Sequence, residues 1–361
     1  MIARKSAETA KPTRIFNRYF YFVAALLFLS SMSYNFMSAT MSLHIEGINL
    51  PAFYTGVLMT IFSTSAAIFR LAGGRVVDRR GRRASIVVGF FFYALGVIGM
   101  GFARAEWLLL LACFINGSGF ALAGTGMSVA SADVVPVQRL GEGIGYLSLA
   151  QPLSGLVGPF LGLIIFANYG FSATMSAAGL LLFLAVALGC LYRYEHIAEN
   201  QAKREPEKAA SINVSIDRSA SAKKLPSIWT LIDSKAIPSS LVYLFVCLSN
   251  SCIITFITLF AQNNEIPNAG LFFTFSALSV VVSRITLGKL SDRRGTLSAV
   301  IPGIMLSIIS CVMLIASPRY SPLYYIAGAL YGFATGITIP ALNAAAILKT
   351  SIERRGAATT M

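Results

Sequence analysis

The chain has 361 residues, of which 56% are hydrophobic and 12% charged, with a mean hydropathy of +0.70. Soluble domains carry roughly 25% charged residues, so this composition excludes an ordinary water-soluble globule. A formal net charge of +14 would suit a nucleic-acid binder, but the basic residues are sorted along the chain in a pattern that nucleic acid does not require.

A bilayer core about 30 Å thick needs roughly 20 apolar residues per helix. Ten such spans are predicted, at 19–43, 52–74, 84–104, 107–131, 143–167, 170–192, 237–261, 269–290, 297–317 and 322–347. Span 1 follows a basic tail (1–18) and is too long for a signal-peptide core, so it reads as an uncleaved helix. Its Ser31, Asn35, Ser38 and Ser42 share one face, which lipid would penalise. Span 2 runs into "GRVVDRRGRR" at 74–83. Span 4 contains "CFINGSG", and span 5 contains "SGLVGPFLGLI" at 154–164. After span 6 the apolar pattern stops at 194–236, a Ser- and Lys-rich stretch that reads as a cytoplasmic linker. The domains expected are therefore the tail, a six-span bundle at 19–193, the linker, and a second bundle at 237–361. The fold class is an all-α polytopic membrane protein. Continuous apolar runs exclude a β-barrel, whose strands alternate.

Of the 29 Lys and Arg, only Arg104 and Arg319 fall in predicted outer loops, and Arg70 and Arg284 lie within spans. The others sit in the tail, the inner loops or the span ends beside them. This positive-inside bias places both termini in the cytoplasm. The five cysteines form no CxxC pair and read as small packing residues. Two distant histidines, His44 and His196, make a metal site improbable, and no cofactor or nucleotide loop is expected. The Ser/His/Asp arrangement of a hydrolase is also missing from the pattern, so the chain reads as a non-enzyme.

The two bundles repeat one another. Arg70, Gly74, Asp78, Arg79 and Gly81 match Arg284, Gly288, Asp292, Arg293 and Gly295 at an offset of 214. At an offset of 215, Asn35 falls on Asn250 and Gly117 on Gly332. Two parallel six-helix halves are a recurring transporter architecture.

"GRVVDRRGRR" resembles the inner-loop motif of the major facilitator superfamily, matching it at Gly74, Asp78, Arg79, Gly81, Arg82 and Arg83. The resemblance spans the chain and implies two pseudo-symmetric six-helix halves. The family has twelve spans, and this chain stops at "ERRGAATTM", where an eleventh would begin, which reads as truncation by two spans. A natural ten-span protein is the alternative.

The resemblance implies roles for these residues. Each motif aspartate would latch the inner gate by facing a helix N-terminus in the opposite half, where free amides favour an anion. Asp78 would address span 11, and Asp292 the start of span 5 near Gly141 to Gly143. Arg79 and Arg293 follow them in the gating motif; the alternative is that both aspartates cap only their own loops, with Gly81 and Gly295 supplying the positive-φ turn. Gly158, Pro159 and Gly162 match the family's antiporter motif, while Ser154 and Leu163 depart from it. For Arg70 and Arg284, snorkelling to the inner surface competes with pairing to Asp133 or Glu142. The family's arginine in span 4 is replaced by Cys113.

Spans 1, 4, 7 and 10 line the family's cavity. Asn35, Ser38, Asn116, Asn250, Tyr331 and Asn343, with Gln151 in span 5, are therefore the substrate-lining candidates; polar glue between helices is the competing reading. The expected function is secondary transport in the cytoplasmic (inner) membrane by a monomer, without nucleic acid. The expected partners are a small-molecule substrate, the lipid bilayer and protons. Efflux of small, rather apolar molecules leads; sugar or metabolite uptake, a non-transporting receptor or scaffold, and an inactive fragment are the alternatives.

Overall fold

The computed structural model describes residues 16–136, 139–191, 237–287 and 297–349. The linker (194–236), most of the N-terminal tail and the second copy of the loop motif (Gly288, Asp292, Arg293, Gly295) lie outside these residues. The elements are α1 (Arg18–Gly47), α2 (Phe53–Arg80), α3 (Arg82–Phe102), α4 (Glu106–Val134), α5 (Leu140–Leu147), α6 (Ala150–Leu191), α7 (Ile237–Asn263), α8 (Leu271–Leu287), α9 (Leu297–Ala316) and α10 (Pro322–Lys349). Among the described residues there is no strand.

Every predicted span is helical, and the described ends agree within a few residues except at α2, which runs on through the motif to Arg80. Seven helical stretches among the described residues are long and apolar enough to cross a membrane. One of them, Gly143–Leu191, has 49 residues. At about 1.5 Å per residue it is more than twice the thickness of a bilayer core. It holds spans 5 and 6, because α6 breaks at Gly170, where φ is 80° and ψ is −178°. A side chain at that residue would be strained. The helix continues through Pro159 without a second break. α5 is a short inner segment of span 5, separated from α6 by a turn at Ser148 and Leu149.

The ends of the helices repeat as the sequence does. After α1, Leu50 N donates to Ile45 O (3.1 Å), with Asn49 at φ 60°. After α7, Ile266 N donates to Ala261 O (2.9 Å), with Glu265 at φ 54°. Both are closing bonds that satisfy an end carbonyl through one left-handed residue.

Packing divides the chain into two compact units. Among the described residues, unit 1 holds 16–37, 53–136, 139–154 and 165–191; unit 2 holds 38–52, 155–164, 237–287 and 297–349. The division does not fall at the linker alone, because the outer end of α1 and the middle of span 5 pack with the second bundle. In unit 1, α3 and α4 approach closely enough that a Cβ at Gly96 would strike the Asn116 backbone, and one at Gly119 the Tyr93 backbone. The sixth span covers another face of α3: Ser172 Oγ donates to Gly101 O (2.5 Å), and the Phe91 and Phe183 rings lie 6.2 Å apart.

In unit 2 the core gathers Ala39, Ile257, Ala261, Phe272, Tyr324 and Tyr331. Tyr324 Oη donates to Ala269 O (3.1 Å), and Ser310 Oγ on α9 donates to Ala327 O on α10 (2.8 Å). Small residues set these approaches, as expected where lipid supplies no hydrophobic drive between helices. The aromatic residues Phe53, Phe102, Trp107, Tyr169 and Tyr320 are exposed beside the predicted outer loops, the place of an interfacial belt.

Candidate functional site

The first loop motif builds a set of ties across the inner ends of unit 1. Gly81 separates α2 from α3 with φ 81° and ψ 162°, so the turn needs a glycine. The two arginines that follow then leave in different directions. Arg82 Nε pairs with Asp133 Oδ2 on α4 at 2.8 Å. Arg83 Nε donates to Gly189 O (3.1 Å), and its Nη2 donates to Cys190 O. Those carbonyls belong to the last turn of α6, where no backbone donor remains and a cation is favoured.

A third tie comes from a residue the sequence did not single out. Asn17 Oδ1 accepts from Phe20 N (2.7 Å), capping α1, while its Nδ2 donates to Val134 O (2.9 Å) at the end of α4. Spans 1, 3, 4 and 6 are thus joined by three side chains. The Asn-x-x-Phe spacing before an apolar run was a readable capping signal; the second bond was not readable.

The partner of Asp133 is therefore Arg82, and Arg70 is exposed on α2. Gly74, Asp78 and Arg79 lie in the last turns of α2, Arg284 in α8, Glu142 in α5 and Asn343 in α10. Their side chains lie outside the described residues. Of the cysteines, Cys113 is buried as expected, with its thiol 3.3 Å from Met100 Sδ. Cys190 and Cys252 are exposed, which corrects the packing reading for them. A helix face turned to lipid accepts a thiol without a packing partner.

The antiporter-like stretch lies in unit 2, with Gly158, Pro159 and Gly162 buried. Its neighbours face α8: Thr274 Oγ1 donates to Leu156 O (2.9 Å), and a Cβ at Gly270 would stand 3.1 Å from Phe160 Cα. Ser42 and Thr258 share a buried hydrogen bond at 3.2 Å between the outer ends of α1 and α7.

The substrate-lining candidates whose side chains are described are divided between the two units. In unit 1, Asn35 Nδ2 donates to Ser154 Oγ (3.0 Å), tying span 1 to span 5. Asn116 is fully buried and Gln151 is exposed. In unit 2, Ser38 is buried, and Tyr331 Oη donates to Asn250 Oδ1. That pair lines an apolar groove of about 400 Å³ between α7, α9 and α10, with Ser249, Ser307, Thr335 and Thr338 as its other polar edges. The repeat partners Asn35 and Asn250 thus have different hydrogen-bond partners. Among the described residues no group of His, Cys, Asp and Glu could hold a metal ion.

The repeat also has a physical counterpart. A Cβ at Gly117 would collide with the Phe62 carbonyl of α2, and one at Gly332 with the Ser276 carbonyl of α8. Phe62 and Ser276 are themselves 214 residues apart. The same glycine-to-carbonyl contact has been kept in both halves, where helices that must cross closely admit no side chain.

The chain is similar to known proteins over most of its length. Residues 23–361 match the model of the Major Facilitator Superfamily. A "Multi-drug resistance efflux pump PmrA homolog" of Lactococcus lactis subsp. lactis is 26% identical over 323 residues, covering 88% of this chain and 76% of that protein. The "Multi-drug resistance efflux pump PmrA" of Streptococcus pneumoniae serotype 4 is 24% identical, covering 88% and 77%. Among solved structures, the nucleoside transporter NupG aligns over 95% of this chain and 85% of its own with a TM-score of 0.69, at 12% identity. The peptide transporter POT in complex with sulfate also gives 0.69, over 97% and 88%, at 12% identity. With its helices, its internal repeat and its inner-loop motif, this chain belongs to the Major Facilitator Superfamily.

Proposed function

We propose that the protein is a proton-coupled exporter of small, rather apolar organic molecules, working by alternating access of two halves. The single observation that carries the reading is the likeness to multidrug efflux pumps over most of the chain. The partial antiporter motif at Gly158, Pro159 and Gly162 supports the same direction. Neutral amides and hydroxyls, Asn35 and Asn250 foremost, would line the substrate path, with Ser38, Asn116, Gln151, Tyr331 and Asn343 as the remaining candidates. Asp78 and Asp292 would latch the inner gate. The chain would sit in the inner membrane with both termini cytoplasmic, joined through the 194–236 linker.

Efflux of a fluorescent lipophilic cation from energised cells lacking their own pumps tests this. Retention of the dye by cells expressing the protein, in place of extrusion that an uncoupler abolishes, would overturn it. Orientation is tested separately with an impermeant thiol reagent on intact cells. A cysteine at Asn263 should react and one at Ala202 should not.

A further inference from the structure

The aromatic core of unit 1 has no copy in unit 2. Tyr34 on α1, Phe62 on α2, Tyr93 on α3 and Phe120 on α4 form one cluster, with the Phe120 ring 5.4 Å from Phe62, 5.7 Å from Tyr93 and 6.2 Å from Tyr34. At the repeat offsets of 214 and 215 these four positions become Ser249, Ser276, Ser307 and Thr335. The shared glycine contact anchors this register, because Gly117 meets Phe62 as Gly332 meets Ser276. Four rings in one half are four short hydroxyl side chains in the other.

Protein interiors are close-packed, so rings taken away without replacement leave a space. Three of the four replacements, Ser249, Ser307 and Thr335, line the apolar groove of about 400 Å³ between α7, α9 and α10. Unit 2 has rings of its own in Phe272, Tyr324 and Tyr331, grouped on α8 and α10. Of these three, Tyr331 alone lines the groove. The volume lies in the range of small-molecule pockets.

We propose that this groove binds a neutral aromatic molecule of two or three rings, seated where unit 1 has rings of its own. This gives the class of substrate for the exporter proposed above, and rests on that reading. No residue lining the groove is acidic or basic, so an ionised ligand would be left without a counter-charge. The polar edge also selects. Ser307 Oγ donates to Gly303 O (3.1 Å), Thr335 Oγ1 to Tyr331 O (3.0 Å) and Thr338 Oγ1 to Ala334 O (2.8 Å), so these hydroxyls face the groove as acceptors. Asn250 accepts from Tyr331 through Oδ1, and its Nδ2 is the donor for a ligand carbonyl or ring nitrogen.

Benzophenone is the probe: neutral, two-ringed, with a ketone acceptor, and photoreactive toward nearby C–H bonds. The full chain in lipid nanodiscs is irradiated with it, and the adducts are mapped by mass spectrometry. Adducts at 242–250 and 304–315 should saturate with probe concentration and be displaced by excess fluorenone, a neutral three-ring ketone. Adducts around Phe92 and Leu95, on the exposed face of α3, should rise linearly and resist displacement. Thr335→Phe and Ser249→Tyr each return a ring that unit 1 carries, and should lower groove labelling by about tenfold or more. Ser249 is exposed, so its variant tests the site with the fold intact. Linear, undisplaced labelling of α7 and α9 would overturn the proposal and assign the groove to lipid acyl chains. Saturable labelling undiminished in both variants, each eluting as a folded species, would overturn the equivalence of rings and ligand. Dye extrusion from cells is a separate readout: saturable labelling lost while extrusion persists strikes this site and leaves the exporter reading standing.

Discussion

α3 and α9 hold equivalent places in the two halves, yet 56% of the apolar window of α3 is buried against 22% for α9. The difference is confined to one face. On α3, Val87, Phe91, Ala94, Ile98 and Gly101 meet the sixth span through Gly189, Phe183, Gly179 and Met175. At an offset of 214 these positions become Ile301, Met305, Ile308, Val312 and Ile315 on α9, which are 54–79% exposed. Against their central helices the two behave alike, since Gly96 meets Ala112 O and Ser310 bonds Ala327 O. One apolar stripe is therefore a helix seam in unit 1 and, among the described residues, a largely exposed face in unit 2, where Ile308, Val312 and Ile315 edge the groove beside α7 and α10. Lipid tails are as apolar as leucine, so the bilayer imposes no difference of residue type between the two uses.

The sharpest way to break this comparison is through what the halves share. Gly117→Ala and Gly332→Ala each drive a methyl into a carbonyl of an intact helix. Overpacking costs about 1–3 kcal/mol where neighbours can yield, and a helix carbonyl yields poorly. Both substitutions should abolish monodisperse protein in detergent, whereas Gly124→Ala, with nothing within 4 Å, should not. Survival of one and loss of the other would show that the repeated contact bears weight in one half alone.

The inner ties of unit 1 come next. Arg82 and Asp133 are 36% and 18% exposed, between the surface pairs worth about 0–1 kcal/mol and the buried ones whose breaking costs about 3–5. Asp133→Asn should cost about 1–2 kcal/mol in a denaturation series. In a double-mutant cycle Arg82→Gln should add little once Asp133 is gone. Arg83→Gln should cost less, about 0.3–1 kcal/mol, the usual worth of a cation at a helix C-terminus. If Arg83→Gln costs the more, the α6 carbonyls and not Asp133 anchor the motif.

These ties show what was legible in the sequence. The spans could be read because twenty apolar residues in a row have one outcome in a bilayer, and the break between spans 5 and 6 because Gly170 falls where that length runs out. The motif glycine and the repeat were readable for the same reason: each is a local requirement. The destinations of Arg82, Arg83 and Asn17 were not, because each bonds a residue 51 to 117 positions away across a helix approach that no local pattern encodes. Arg82 reaches Asp133, which had been offered to Arg70 instead. Asn35 and Asn250 stand at the same repeat offset in the sequence, but their hydrogen bonds to Ser154 and Tyr331 depend on which helix stands beside each.

The smallest effects test the face itself. Ile98 touches Gly179 of the sixth span and is half-buried, so Ile98→Ala removes contacts and should cost about 1–2 kcal/mol, below the range for fully buried positions. Val312 is its equivalent on α9 and is 59% exposed. Val312 also lines the open groove between α7, α9 and α10, so Val312→Ala trims one wall of that groove, loses few contacts and gains slightly in helix propensity, and its stability should stay within about 0.5 kcal/mol of the parent. The same pair read by spin labels at 98 and 312 should show oxygen reaching position 312 from the bilayer and largely failing to reach 98. A stability loss at Val312→Ala matching that at Ile98→Ala, together with a shielded label at 312, would mean that another helix covers α9 in the membrane. A protein-concentration dependence of that shielding would assign the cover to a second copy of the chain. Equal access at both positions would instead show that the sixth span leaves α3, and the contrast between the halves would dissolve.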